Sequence, residues 1–204
     1  MKHHMLAAAI ALAPVLTGAA QAEVWAIDPT HTDVVASWDH AGFSRQIMSF
    51  HEFSGSLTLD LDNVEAASAD FTVPVASLST GFAMFDSELK GANFLDAEAF
   101  PTIRFVSTGV ERTGDMTAVV SGDMTIKGAT KPASFEVTVH QIGEHPVGQF
   151  FDAYKGTWMG FTATARINRS DWGVSAFIPI GSDEITIEIN SEMKQGIEVF
   201  SMGG

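Results

Sequence analysis

Cysteine is absent from this 204-residue chain. Without a thiol there is no disulfide staple, no thiolate nucleophile and no Cys-based metal site. Tyrosine occurs once, and bases are scarce: 11 Lys and Arg stand against 25 Asp and Glu, a formal charge of −14. Such a surface repels phosphate backbones and anionic headgroups, which excludes nucleic acid as a partner. Membrane-length apolar runs are lacking too. The run at residues 6–16 (LAAAIALAPVL) is about half the ~20 residues that a spanning helix needs.

That run fits a different layout. Lys2 precedes it and Ala20-Gln21-Ala22 follows, which is the basic, apolar and small-residue order of a secretory signal peptide. The expectation is export to the periplasm with cleavage after Ala22. About 180 residues then remain, enough for one domain with a substantial core.

What the sequence has in quantity is alternation. Apolar residues or Gly occupy 53, 55, 57, 59 and 61, with polar residues between them. Phe71, Val73 and Val75 repeat the period, as do Phe135, Val137 and Val139, then Phe161, Ala163, Ala165 and Ile167, then Ile185, Ile187 and Ile189. Period-2 patterns put one face inside and one in water, as antiparallel sheets allow. Turn-forming residues separate the runs, at Asp62-Asn63, Thr113-Gly114-Asp115, Lys127-Gly128 and Gly181-Ser182-Asp183. Short strands at this spacing predict a sandwich or barrel. One segment departs: Phe82, Phe85, Leu89 and Ala92 recur at helical spacing, and a further turn near 96–99 ends at Pro101. The chain from 194 onward carries little pattern.

Sites for chemistry are sparse. The histidines form neither His-x-His nor His-x-x-x-His, the compact ways of aiming two imidazoles at one ion. A metal-assisted enzyme would require His31, His40 and His51 to converge in space. Ser87-Glu-Leu-Lys90 matches Ser-x-x-Lys but lacks its companion motifs. Asp60, Asp62 and Glu65 form an acidic turn without calcium-loop spacing. No catalytic residue and no catalytic cofactor are expected. The aromatic inventory says more, with 15 Phe and 4 Trp beside the lone Tyr: apolar surface with few polar handles.

Taken in order, several landmarks resemble the YceI-like polyisoprenoid-binding family over nearly all of the mature chain. They are Ile27-Asp28 with His31-Thr32, His40-Ala-Gly-Phe-Ser44, and Ser49-Phe-His-Glu-Phe-Ser-Gly55. Then come Asp86, Leu89-Lys90, Phe94-Leu-Asp96 and Phe100-Pro-Thr-Ile-Arg-Phe105. Gly122-Asp-Met-Thr-Ile-Lys-Gly-Ala-Thr-Lys-Pro132 and Arg169-Ser-Asp-Trp-Gly173 complete the set. The resemblance implies an all-β, extended lipocalin-like antiparallel barrel of about eight strands with a short helical insertion. It would span residues 23–194, between a signal peptide (1–22) and a tail (195–204).

It also implies a long apolar lipid, an isoprenoid of quinone or polyprenyl type, held in the barrel and carried through the periplasm. Phe43, Phe50, Phe53, Phe71, Phe82, Phe85, Leu89, Phe94, Phe105, Phe161 and Trp172 are the expected lining, with His40 and Arg45 at the head group. Partners on this reading are the lipid itself, a membrane protein as donor or acceptor, and a second copy in a homodimer. The family often has Arg before the helix Asp and His before its Leu-Lys, where this chain has Phe85 and Glu88. If these positions face the ligand, a neutral head is favoured over a pyrophosphate; if they face solvent, the change is silent. Two readings from other classes stand beside the carrier: a stress-related interaction protein with a solid core, and the His-metal enzyme.

Overall fold

A computed structural model describes residues 22–197 and 199–201. Residues 1–21 of the expected signal peptide and 202–204 of the tail lie outside them. The chain begins with β1 (Glu23–His40), β2 (Ser44–Phe50), β3 (Ser54–Leu59), β4 (Ser68–Pro74) and β5 (Leu78–Ser79). The one α-helix among the described residues, α1 (Ala83–Lys90), follows. Five longer strands complete the chain: β6 (Thr102–Arg112), β7 (Thr117–Ile126), β8 (Ala129–Glu144), β9 (Thr157–Asn168) and β10 (Glu184–Gln195).

Eight of these close a ring. The order β10-β9-β8-β7-β6-β4-β3-β1 is completed by pairing of β1 with β10, every contact antiparallel. Closure leaves these strands without a free edge, which removes a template for aggregation. The alternation read from the sequence sets the faces. In β10, Ile185, Ile187, Ile189, Ser191 and Met193 all turn inward. β2 continues the course of β3 beyond a break at 51–53, pairing with β1 over Val34–His40, and β5 adds to its far side.

The two ends of the barrel differ. At one end lie the β1–β2 turn, the β7–β8 turn, α1 and the 169–183 connection, the first and last of these joined by the Ala41 N–H to Ile180 C=O bond of 2.8 Å. At the other lie the β8–β9 connection and the start of β1, paired with β10 through Trp25 and Gln195. Twelve-residue β9 separates them by roughly 36 Å at ~3.3 Å per residue.

Two expectations change in detail. Phe82 sits at the N-cap of α1 rather than on its inward face, so helical spacing placed it wrongly. The tail is not patternless in its described part, because Phe200 is buried against Tyr154 and Trp158.

Candidate functional site

The barrel encloses an elongated cavity of about 510 Å³, within the ~300–1,000 Å³ typical of small-molecule sites. It follows β10 from Ile185 to Met193, roughly 26 Å of strand. Phe50, Phe53, Phe71, Phe85, Leu89, Phe94, Phe105, Phe161 and Trp172 all line it.

Glycines shape one wall. Gly55 lies opposite Phe71, which lies opposite Phe105 on the next strand. A Cβ at Gly55 would overlap the Phe71 ring, and one at Gly122 would overlap the Phe105 ring. The missing side chains therefore leave the two rings the space that a Cβ at each glycine would take. Ser54-Gly55 and Ser121-Gly122, a weak likeness in sequence, share this task.

Phe43 and Phe82 do not line the cavity. Phe43 caps the β1–β2 turn at 92 % exposure, and Phe82 is 60 % exposed at the start of α1. Arg45 is a second correction. Its backbone lies opposite Asp39 in the hairpin, and its Nε and Nη2 donate to Ser37 Oγ at 3.0 and 2.7 Å. His40 does border the cavity, at its mouth, beside Gly181, to which it is bridged.

The cation that reaches the cavity is Arg169, which sequence reasoning placed only within a family landmark. Its Nε, Nη1 and Nη2 donate to the carbonyls of Ser182, Val174 and Gly181 at 2.9, 2.8 and 3.0 Å. These bonds use three of the five guanidinium N–H groups and pin the 174–182 loop. Burial pulls its pKa below the usual value, while the charge of Asp183 opposes that shift. Phe85 and Glu88 both border the cavity. The substitutions noted from sequence therefore lie at the cavity, Phe85 half-buried and Glu88 exposed at the mouth.

At the closed end, Trp25, Leu59, Met159 and Met193 form a plug. Outside it lies a polar cluster. Within β1 the pairing with β10 slips between Ile27 and Thr32, a bulge around Asp28-Pro29 at which Asp28 is fully buried. Its Oδ1 accepts from Thr30 N at 2.8 Å and Thr30 Oγ1 at 2.7 Å. Its Oδ2 accepts from Tyr154 Oη at 2.9 Å and His31 Nδ1 at 2.8 Å. Burial pushes the Asp28 carboxyl upward, but the bonds from His31, Thr30 and Tyr154 outweigh it and hold the pKa below the ordinary value. The Asp28 hydrogen bond raises that of His31.

Asp28, His31 and Glu192 are the group with metal-ligand spacing among the described residues, their atoms within 4.8 Å of one another. Asp28 already has four hydrogen-bond donors, so the arrangement is that of a saturated carboxylate. Glu192 Oε2 lies 3.2 Å from His145 Nε2, at ion-pair distance without hydrogen-bond geometry. His31, His40 and His51 do not converge. His40 stands eight residues beyond Thr32 along β1, roughly 26 Å.

A closed eight-strand antiparallel barrel around a long apolar interior, with His40, Glu88 and Arg169 at its mouth, has a lipocalin-like fold. The comparisons make the assignment specific. The YceI-like domain model matches residues 25–193, and the chain belongs to that family. A UPF0312 protein of Pseudomonas putida (strain W619) is 34 % identical over 176 residues, covering 85 % of this chain and 88 % of the relative. A UPF0312 protein of Shewanella sp. (strain W3-18-1) is 29 % identical over 191 residues, 93 % of this chain and 96 % of the relative.

Among solved structures, Burkholderia cenocepacia BcnA superposes with a TM-score of 0.71 at 25 % identity, over 81 % of this chain and 98 % of that one. A polyisoprenoid-binding domain from Saccharophagus degradans superposes with a TM-score of 0.65 at 12 % identity, over 84 % and 98 %. At that identity the second likeness speaks for the fold alone.

Proposed function

We propose that this protein is a non-catalytic periplasmic carrier or store for a long-chain apolar lipid, an isoprenoid of quinone or polyprenyl type, held in the barrel. The observation that carries the reading is the cavity. About 510 Å³ lined almost wholly by apolar side chains is costly to leave empty and suits a ligand with a long hydrocarbon body. A barrel packed solid, as the interaction-protein reading requires, would not hold this space.

The energetics favour retention. Burying ~40 carbons at ~0.8 kcal/mol each would nominally exceed ~30 kcal/mol, well above the ~18–21 kcal/mol at which affinities saturate. Even with half lost to ordering the chain, the lipid stays bound without a charged anchor. At the mouth, Arg169 and His40 supply hydrogen-bond donors while the Glu88 carboxylate repels anions. That mixture suits a carbonyl head of quinone type better than a pyrophosphate. The periplasmic location rests on the signal-peptide layout of residues 1–22.

The test is native mass spectrometry of the mature protein, with organic extraction of what it holds. A stoichiometric lipid is expected. Ala163→Phe should lower its occupancy, because Ala163 is buried and lines the cavity. A bare mass that stays unchanged after incubation with quinones and polyprenyl phosphates would sink the reading.

A further inference from the structure

Large apolar side chains also stand outside the barrel, and one group of them gathers at the mouth. Phe43 is 92 % exposed, Met84 72 %, Phe82 60 %, Phe177 58 % and Ile180 56 %. They come from three separate segments that the fold draws together. The turn carrying Phe43 is bonded to Ile180 through the Ala41 N–H, and His40 bridges Gly181. Phe177 stacks on Phe94 with ring centroids 6.0 Å apart, and Phe85 packs on Trp38 at 6.1 Å, holding the first turn of α1 beside the same opening. Phe177 and Ile180 also border the cavity, so its apolar lining continues without a break onto the outer surface.

Charge is missing from all three segments. Residues 41–44 (AGFS), 79–85 (STGFAMF) and 175–181 (SAFIPIG) hold no Asp, Glu, Lys or Arg, in a chain with 25 acids and 11 bases. Apolar patches of this kind on a soluble protein mark interaction surfaces. A charge-free rim of Phe, Met and Ile around an opening suits shallow insertion between lipid headgroups. The net charge of −14, with Asp39, Asp86 and Glu88 close behind the rim, opposes anionic headgroups.

We propose that this crown seats the protein on a bilayer surface whose headgroups carry no net charge, with the cavity mouth opening onto the lipid. An apolar ligand would then pass between membrane and barrel without meeting water, the step in which its hydration is most unfavourable. The proposal takes its purpose from the carrier reading, while its test is independent of what the cavity holds.

The experiment is flotation of the mature protein with phosphatidylcholine vesicles, with native mass spectrometry of the same samples. The wild type should float with the vesicles, and less so as phosphatidylglycerol is added. The double variant Phe43→Ser, Met84→Ser should float at least tenfold less, because both side chains stand out from the rim, and should keep its lipid, because neither lines the cavity. Phe150→Ser should match the wild type, since Phe150 is 80 % exposed but sits at the opposite end of the barrel. Lipid content by mass should be equal in all three.

Wild type that stays at the bottom of the gradient overturns the proposal, as does an equal loss from Phe150→Ser. Self-association in vesicle-free solution that the double variant abolishes, without flotation, would assign the face to a second copy of the chain instead. Protein that floats yet holds no lipid would sink the carrier reading and leave the docking surface standing.

Discussion

The hydroxyl of Tyr154 donates a 2.9 Å hydrogen bond to Oδ2 of Asp28, across 126 residues of sequence. It joins the single tyrosine of the chain to a carboxylate with no solvent exposure. The bond locks the β8–β9 connection onto the bulge of β1, and Trp158 stacks on the tyrosine ring with centroids 4.9 Å apart. Tyr154→Phe keeps the ring and removes one donor from a buried charge. A loss of about 1.5–3 kcal/mol is expected, read as a lower urea midpoint at unchanged slope. An unchanged midpoint would mean that water replaces the hydroxyl.

The same cluster sets a pH window. His31 has a pKa raised above its ordinary value of 6.5 by Asp28, so its contribution is complete below pH 6.5 and fades as pH rises through the raised value. Asp28 has a pKa lowered below 3.8, so its contribution is present above that pH and fades as pH falls through the lowered value. The two describe one pair seen from both partners and are not additive. Between them stability should plateau. His31→Gln should flatten the alkaline side of a plot of urea midpoint against pH; a variant that falls away as the wild type does would place the alkaline loss elsewhere.

Gly122 lies buried in β7 beside β6, where a methyl group would overlap the Val106 carbonyl oxygen and the Phe105 ring. Gly122→Ala should cost about 1–3 kcal/mol, the usual range for overpacking. Chemical denaturation gives the loss. Native mass spectrometry should show less bound lipid, since the displaced ring moves into the cavity.

Arg169 holds the 174–182 loop through three backbone carbonyls. Lysine keeps the charge but cannot reproduce the planar fork. Arg169→Lys should therefore speed amide hydrogen exchange in residues 174–182 while leaving the β8–β9 connection protected. Uniform acceleration across both ends would show a global loss of stability instead.

Much of the fold was legible in the sequence where period-2 alternation was strict. Residues 135–139, 161–167 and 185–189 read as strands with a defined inner face, and the barrel has them so. β1 was harder, because Asp28-Pro29-Thr30-His31 interrupts it and the bulge hides its alternation. The aromatic residues show the limit of local reasoning. Phe82 and Phe85 are three apart on one predicted helix, yet one caps it in solvent and the other reaches the cavity, because the helix begins one residue later. Arg45 and Arg169 look alike as cations near glycine-containing turns, and only the second reaches the interior.

What the sequence by itself determined is what short-range geometry dictates: alternation assigns the two faces of a strand, and turn-forming residues assign its ends. Composition added the absence of disulfides and the acidic surface. Only the tertiary structure decided that the inward faces meet around open space rather than a filled core. Alternation reports which side chains leave water, but not how far apart opposing walls stand. That spacing follows from ring closure by eight strands and from two glycines that leave room for the Phe71 and Phe105 rings. The bond between Tyr154 and Asp28 is likewise a product of closure, since no local rule links positions so distant in the chain.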